Sequence, residues 1–131
     1  MLTPALASIS KDNFSLEAES NSDTVCVKLM GNCEMDTTPV LETFLSQLHL
    51  EAPRIGAKRV VMDCQDLYFM NSASIKCLVA WVQKVSMSPN DVRYTVEFVA
   101  NQHLSWQQRS LGAIERFAPH IVSLNQEGGM L

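Results

Sequence analysis

The sequence has 131 residues, of which 47% are hydrophobic and 18% are charged, a balance typical of one globular domain with a buried core. The formal net charge of −4 argues against a nucleic-acid-binding protein, which usually carries a basic patch. No apolar run approaches the roughly 18 residues of a membrane-spanning helix, and the N-terminus does not resemble a secretory signal. We therefore expect a cytoplasmic protein that binds neither nucleic acid nor membrane.

The first part of the chain predicts a β-hairpin. Residues 1–12 show no periodicity and are expected to form a flexible tail. Hydrophobic and polar residues alternate over residues 14–19, which predicts a half-buried strand with an acidic outer face at an edge of the sheet. After turn residues at 21–23, the alternation resumes over 24–30 and predicts a second strand paired with the first.

A helix is predicted next. Residues 31–36 contain Gly, Asn and Asp and are expected to end the strand. Thr38 and Pro39 suit a helix start, because proline has no amide hydrogen to lose in the first turn. The helix is expected to run to about Leu50. Its apolar stripe consists of Val40, Leu41, Phe44, Leu45 and Leu48.

The central part of the chain reads as a strand, a loop and a second helix. Residues 58–64 form a short apolar run, which predicts a strand covered on both faces. Residues 65–70 are predicted to be a loop whose large apolar side chains hold it against the core. Asn71 and Ser72 are both good N-cap residues for a helix that ends near Met87.

The last third predicts a strand, a helix and a final strand. Alternation over residues 94–100 indicates a strand, and Ser105 with Gln108 suggests a capping box at a helix start. Residues 120–124 predict the last strand, and residues 126–131 a C-terminal tail. The side chains expected on the core side of this helix are Trp106, Ser110, Ala113, Ile114 and Phe117.

The element order is therefore β-β-α-β-α-β-α-β, within one α/β domain spanning residues 13–125. Each helix connects two strands, which calls for right-handed crossovers and a mostly parallel sheet. The opening hairpin should add one antiparallel strand at an edge.

No residues assemble an obvious catalytic or metal site. The cysteines at positions 26, 33, 64 and 77 contain no C-x-x-C pair, so we expect reduced and mostly buried thiols without a cofactor. Asp63 and Asp66 could form a carboxylate pair, but no third ligand or histidine completes the site. No phosphate-binding glycine motif occurs. The sequence therefore does not predict an enzyme.

One stretch resembles a known family. Residues 63–70 fit D-x-x-D-L-x-F-M, and N-S-A-S-I follows at the predicted helix start. This order is similar to the STAS domain of anti-sigma factor antagonists, whose pattern is roughly F-M/I-D-S-S/T-G-L. Residues 31–36 also resemble the G-x-L/x-D segment of that family, with about two extra residues.

The resemblance implies that Ser72 is phosphorylated, since it matches the serine that a partner kinase modifies in the family. That kinase is an ATPase of the histidine-kinase-like type and is also the anti-sigma factor that the domain captures; a serine phosphatase completes such systems. Three neighbours depart from the pattern: Asn71 replaces an aspartate, Ala73 a second Ser or Thr, and Ser74 a glycine.

The loop and helix start around Met70–Lys76 are expected to contact the partner, together with Trp81 on the flank of the same helix. The residues predicted to bind it are Met70, Asn71, Ser72, Ala73, Ser74, Lys76 and Trp81.

Three alternatives remain open at this point. Ser72 could serve only as a helix cap, given the N-cap preference of serine. The chain could be a STAS domain that binds a partner without being phosphorylated, which Asn71 and Ala73 favour. It could also sense a small ligand, such as a lipid or nucleotide, near the same loop.

Overall fold

The computed structural model describes residues 8–126, which form six strands and three helices. The elements in chain order are β1 (Ser8–Lys11), β2 (Phe14–Asn21), β3 (Thr24–Cys33), α1 (Thr38–Arg54), β4 (Arg59–Met70), α2 (Ser72–Ser86), β5 (Thr95–Val99), α3 (Ser105–Phe117) and β6 (Val122–Asn125). The predicted alternation of strands and helices after the hairpin is confirmed. No helix within this range is long and apolar enough to cross a membrane.

The strands form one mixed sheet in the order β1-β2-β3-β4-β5-β6. The first three strands pair antiparallel, and β3 through β6 pair parallel. The predicted tail over residues 1–12 is wrong for Ser8–Lys11, which pair with β2 as strand β1, whereas residues 1–7 lie outside the described range. As a result β2 is an inner strand and not the predicted edge, and the sheet has two antiparallel pairs instead of one.

The core lies on one face of the sheet. Inward side chains form rows across the strands, such as Val27 beside Met62 and Met62 beside Phe98, all of them buried. The three helices contribute their own buried residues to the same cluster. Residues between these rows, such as Val61 and Asp63, are partly exposed. The prediction that both faces of the central strand are covered is therefore wrong; β4 alternates between buried and open positions.

Strands β3 and β4 extend beyond their predicted ends. The predicted break after Met30 does not occur, because Gly31 adopts φ = 92° and lets the strand continue through a shift in register. The Asn32 backbone N–H donates to the Asn13 carbonyl at 2.9 Å beside this irregularity. Residues 65–70, predicted as a loop, pair with β3 and belong to β4.

The opposite side of this extension has no neighbouring strand, because β5 pairs with β4 only as far as Val99 beside Asp63. The Gln107 side chain of α3 takes over there. Its Nε2 group donates to the carbonyls of Cys64 at 2.7 Å and Leu67 at 2.9 Å. Gln107 is fully buried, so the helix supplies the donors that a strand would otherwise provide.

Two further side chains extend this row of donors. Asn101 Nδ2 donates to the Gln65 carbonyl at 3.0 Å, and Trp106 Nε1 donates to the Tyr68 carbonyl at 2.9 Å. Both come from α3 or the loop before it. We call Asn101, Trp106 and Gln107 the side-chain ladder.

The predicted core face of α3 is correct in part, since Ile114 is buried and Trp106 packs against the core, but the rest of that face and the predicted cap are wrong. Its buried face carries Gln107, Leu111, Gly112 and Ile114, whereas Ala113 is exposed and Phe117 is 55% exposed. The capping box is also absent, because Leu104 is the N-cap residue and makes no side-chain cap hydrogen bond. The predicted stripe included exposed residues because the core position held by Gln107 is polar.

The first two helices match their predictions more closely. In α1 the residues Leu41, Phe44, Leu45 and Leu48 are buried as expected. The helix continues past the predicted end to Arg54, with Pro53 inside its last turn. Helix α2 ends at Ser86, within one residue of its predicted end.

Candidate functional site

Ser72 is the first residue of α2 and follows directly from the end of β4. Asn71 is the N-cap residue: its backbone is extended and its Oδ1 accepts from the Ser74 N–H at 2.8 Å. The Ser72 side chain is exposed and makes no hydrogen bond to another residue of the described range. The cap thus belongs to Asn71, and the Ser72 hydroxyl takes no part in it.

Ser74 lies two residues further on in a different environment, with no exposed surface. Its Oγ lies 2.6 Å from Thr38 Oγ1, and it accepts from the Cys33 thiol at 3.2 Å. Thr38 Oγ1 in turn lies 2.9 Å from the Glu34 carbonyl, to which it donates. Thr38 Oγ1 has one proton and a second acceptor in Asn71 Oδ1 at 3.3 Å, so these bonds form one chain that begins at the thiol and ends at two oxygens.

This hydroxyl chain, defined by Cys33, Ser74 and Thr38, connects the end of β3 to the first turns of α1 and α2. The Asn71 N–H also donates to the Cys33 carbonyl at 3.0 Å, so the end of β4 is held at the same point. Burial raises the pKa of the Cys33 thiol, despite opposing hydrogen bonds with Ser74 and Thr37, so the sulfur keeps the proton that it donates. The base of the site is therefore rigidly connected.

Three of the residues predicted to bind a partner are buried. Met70 is 4% exposed, Ser74 is 0% exposed and Trp81 is 2% exposed. Trp81 donates its indole N–H to the Tyr94 hydroxyl at 2.9 Å inside the protein. These three side chains therefore offer almost no surface to a partner in the described structure, because the strand end and the inner face of α2 direct them toward the core.

The other predicted residues reach the surface. Ser72, Ala73 and Lys76 are exposed, and Asn71 is partly exposed. They form a continuous stretch over the first turns of α2. The structure therefore brings together the outer half of the predicted site and separates it from Met70, Ser74 and Trp81.

Sequence reasoning missed three exposed apolar side chains near this helix start. Met35 is 85% exposed in the β3–α1 loop, and Tyr68 and Phe69 are 57% and 47% exposed at the end of β4. Tyr68 and Phe69 stand in an apolar run that was expected to contact the core. Only the register of β4, which is not visible in the run itself, reveals that they face outward.

Acidic groups border the same end of the sheet. Glu34 and Asp36 are exposed in the β3–α1 loop, and the Asp36 carbonyl accepts from Lys11 Nζ at 3.4 Å. A hydrogen bond with Asp36 raises the pKa of the Asp12 carboxyl on the β1–β2 turn. The loop and the turn therefore lie together beside the helix start.

The remaining chemical candidates have structural partners. Asp63 accepts from the Gln65 N–H at 3.0 Å, and Asp66 lies 3.5 Å from Lys28 Nζ. Among residues 8–126 no cluster of His, Cys, Asp and Glu could hold a metal ion. All four cysteines are free thiols; Cys33 and Cys64 are buried, Cys77 is partly buried and Cys26 is exposed, so two of the four are buried where most were expected to be.

Comparisons with known proteins identify the fold. No family model matches the sequence, and no curated protein matches it. Among solved structures, an anti-sigma factor antagonist from Mycobacterium paratuberculosis is similar with a TM-score of 0.65 at 17% identity, over 95% of this chain and 90% of that one. The Bacillus cell fate determinant SpoIIAA in its phosphorylated form is similar with a TM-score of 0.53 at 14% identity, over 86% of this chain and 92% of that one. The chain therefore has the STAS-type fold of the anti-sigma factor antagonists, in a single domain.

Proposed function

We propose that this chain is a partner-switching regulatory protein of the anti-sigma factor antagonist type, controlled by phosphorylation of Ser72. The observation that supports it best is the exposed Ser72 hydroxyl, which is free of hydrogen bonds to described residues at the first position of α2. The neighbouring Ser74 is sealed in the core and cannot take that role. The fold shared with anti-sigma factor antagonists, one of them in a phosphorylated form, gives independent support.

The switch would act by local electrostatics. A phosphoryl group adds about 1.5 to 2 negative charges at pH 7. At the N-terminus of a helix such a charge is favoured by the helix dipole, so the fold need not change. A partner surface docked over the same turn would have to desolvate the new charge, so binding would weaken.

The partner surface in this proposal consists of Ser72, Ala73 and Lys76 with the exposed apolar side chains of Met35 and Phe69. Large exposed apolar side chains beside a modifiable hydroxyl suit a protein partner. The partner would be an anti-sigma factor that is also a serine kinase of the histidine-kinase-like ATPase type, with a serine phosphatase restoring the free form. The chain would act in the bacterial cytoplasm as a kinase substrate and transcription regulator, not as an enzyme.

The test uses the purified chain, a kinase-type anti-sigma factor and ATP, with the modified residue located by mass spectrometry. We expect one phosphate at Ser72, no phosphate on Ser72→Ala and normal modification of Ser74→Ala. Ser72→Asp should weaken binding of the anti-sigma factor by at least about tenfold relative to Ser72→Ala, which is roughly 1.4 kcal/mol. The matched charge control is Gln83→Asp, at an exposed position near the other end of α2, which should leave binding unchanged.

Two outcomes would contradict the proposal in different ways. Binding without phosphate at Ser72, with equal affinities of Ser72→Asp and Ser72→Ala, would identify a STAS domain that binds without being phosphorylated. The Asn71 and Ala73 departures favour that alternative. Phosphate on a different residue would leave partner switching in place but move its site.

A further inference from the structure

The far end of the α1–α2 pair contains a second hydrogen-bonded chain, remote from Ser72 in sequence. Trp81 on α2 donates its indole N–H to the Tyr94 hydroxyl oxygen at 2.9 Å. The same oxygen lies 2.8 Å from Nδ1 of His49 on α1. The His49 and Tyr94 rings also meet edge to face, with centroids 5.9 Å apart. Three elements therefore converge on one phenol, just before β5.

The direction of these bonds follows from the available protons. The indole nitrogen of Trp81 can only donate, so Tyr94 accepts from it. Tyr94 is 1% exposed and has its own O–H proton to place. The only acceptor that the described structure gives this proton is His49 Nδ1. The histidine must then be neutral, with its proton on Nε2.

The surroundings of His49 favour that neutral state. Burial lowers the pKa of His49, and the nearby Lys84 ammonium on α2 lowers it further. From the segment before β5 the group that faces the imidazole is the Tyr94 phenol, whose pKa is raised by burial, so it remains protonated. Within residues 8–126 no carboxylate forms an ion pair with His49.

We propose that His49 is an acid-operated latch that holds α1 to α2 and to the start of β5, independently of any phosphorylation at Ser72. A proton on Nδ1 would turn the only acceptor for the Tyr94 O–H into a second donor. The phenol would then face two N–H groups while its own proton has no partner, an unfavourable arrangement for a buried group. The imidazolium would move away from Tyr94, and the C-terminal half of α1 would be held less firmly against α2.

The sign of the pH effect is fixed by this arrangement. A histidine whose pKa is lowered in the folded protein binds its proton more readily when released. The latch is therefore closed above the ordinary histidine value of 6.5 and opens as the pH falls below it. The opening should be local, because His49 itself lies outside the cluster of buried side chains that forms the core.

The test follows His49 and Trp81 in the whole chain. The sequence has two tryptophans, so Trp106→Phe leaves Trp81 as the single indole reporter. We expect the NMR titration of His49 to have a midpoint below 6.5, and Trp81 fluorescence to change with the same midpoint. The far-UV circular dichroism should stay constant across that transition.

Variants separate the latch from a general acid effect. His49→Gln offers Tyr94 an amide oxygen as acceptor but cannot take up a proton, so the Trp81 transition should be lost. Lys84→Gln should shift the His49 and Trp81 midpoints upward together. The matched control is Lys76→Gln, two helical turns or about 12 Å further along α2, which should shift neither.

Several results would overturn the proposal. One is a His49 midpoint at or above 6.5, and another is a Trp81 transition that persists in His49→Gln. Loss of far-UV circular dichroism together with the Trp81 signal would indicate global acid unfolding and not a latch. None of these measurements requires a partner or a kinase, so they stand apart from the test of Ser72.

Discussion

Residues 64–70 at the end of β4, which we call the β4 extension, have different hydrogen-bond partners on their two sides. Toward β3 the extension pairs backbone to backbone, through a register shift at Gly31. Toward α3 there is no strand, and the side-chain ladder of Asn101, Trp106 and Gln107 supplies donors to the strand carbonyls. Both sides hold the segment that ends at Asn71 and presents Ser72.

The difference shows what each solution demands of the sequence. Backbone pairing tolerates many side chains but needs one residue that can take a positive φ, which favours glycine. The ladder needs particular donors on a separate element, and a buried donor or acceptor that loses its partner is costly. The positioning of Ser72 thus depends on one small residue on one side and on three polar side chains on the other.

The largest loss of stability is expected from disrupting the backbone of β3 at Gly31. A Cβ at Gly31 would lie 1.8 Å from the Asn13 carbonyl oxygen, so Gly31→Ala must move the backbone as well as strain φ. We expect the free energy of unfolding to fall by about 4 kcal/mol, in the range that marks a disrupted backbone. Urea unfolding followed by circular dichroism measures it.

Gly56→Ala is the matched control, because Gly56 also has a positive φ, of 75°, but no atom lies within 4 Å of its added Cβ. Only the conformational cost remains there, about 1 kcal/mol. Equal losses for the two variants would mean that the close approach to Asn13 contributes nothing.

Removing the side-chain ladder on the α3 side should cause the next largest loss of stability. Gln107→Leu removes both donors to the Cys64 and Leu67 carbonyls and the Oε1 acceptor of the Asn101 N–H, 2.7 Å away. Leaving these buried groups without partners should lower the free energy of unfolding by about 3 kcal/mol. Amide hydrogen exchange should also lose protection over the β4 extension, which a defect elsewhere would not produce.

Gln108→Leu tests whether any glutamine in this helix matters equally. Its Oε1 accepts from the exposed Gln126 at 2.9 Å, while its Nε2 group is buried and has no hydrogen-bond partner among the described residues. Gln108→Leu gives up one exposed hydrogen bond and removes one unpaired buried donor, so we expect no loss above about 0.5 kcal/mol in the free energy of unfolding. A loss as large as that of Gln107→Leu would remove the special role of the ladder.

The same contrast explains how much of the fold could be predicted from the sequence. Alternation over residues 14–19 and 24–30 and the helical stripes of α1 and α2 are local signals, and they predicted those elements. The β4 extension was missed because its neighbours on both sides come from elsewhere in the chain. The core face of α3 was predicted only in part, with Ile114 correct and Gln107 missed, since a polar residue at a core position cannot be recognised without its partners.

The candidate site divides in a similar way. Ser72 was singled out because the residues around it resemble the family pattern; its role stays a prediction, and its side chain is exposed at the start of α2. The burial of Ser74 depends on Thr38 and Cys33, which lie 36 and 41 residues away in sequence. Trp81 seemed available for binding because nothing in the sequence indicated that the Tyr94 hydroxyl would accept its N–H.

A smaller effect is expected from the two serines in the first turn of α2, Ser72 and Ser74. Ser74→Ala removes the central member of the hydroxyl chain and leaves the buried Cys33 thiol with Thr37 as its remaining side-chain partner. We expect a loss of about 1.5 kcal/mol in the free energy of unfolding. Ser72→Ala should change it by no more than about 0.5 kcal/mol, because its hydroxyl is exposed. Since both changes raise helix propensity alike, their difference isolates the hydroxyl chain.

A larger loss in the free energy of unfolding for Ser72→Ala than for Ser74→Ala would contradict the structural role of Ser74. It would mean that the exposed hydroxyl is a structural group and that the buried one is dispensable. Thermal unfolding of the two variants and of the double variant measures the comparison, with the double variant expected to match the sum within about 0.5 kcal/mol.

The smallest change in the free energy of unfolding is expected at Asn71, the N-cap residue between β4 and α2. Asn71→Asp keeps an oxygen that can accept from the Ser74 N–H and adds a negative charge at the N-terminus of α2. A charge at that position typically stabilises a helix by about 0.5 kcal/mol. The gain should be present above the ordinary aspartate pKa of about 3.9 and be lost as the pH falls and the carboxylate becomes protonated.

Asn71→Ala is the control, since it removes the cap without adding charge and should cost about 1 kcal/mol at every pH. With phosphoserine incorporated at position 72, the sign for Asn71→Asp should reverse, because two adjacent anions then share one helix terminus. If the aspartate still stabilises the phosphorylated chain, the helix start accommodates both charges. The presence of Asn71 instead of an aspartate would then have no electrostatic consequence for a phosphate on Ser72.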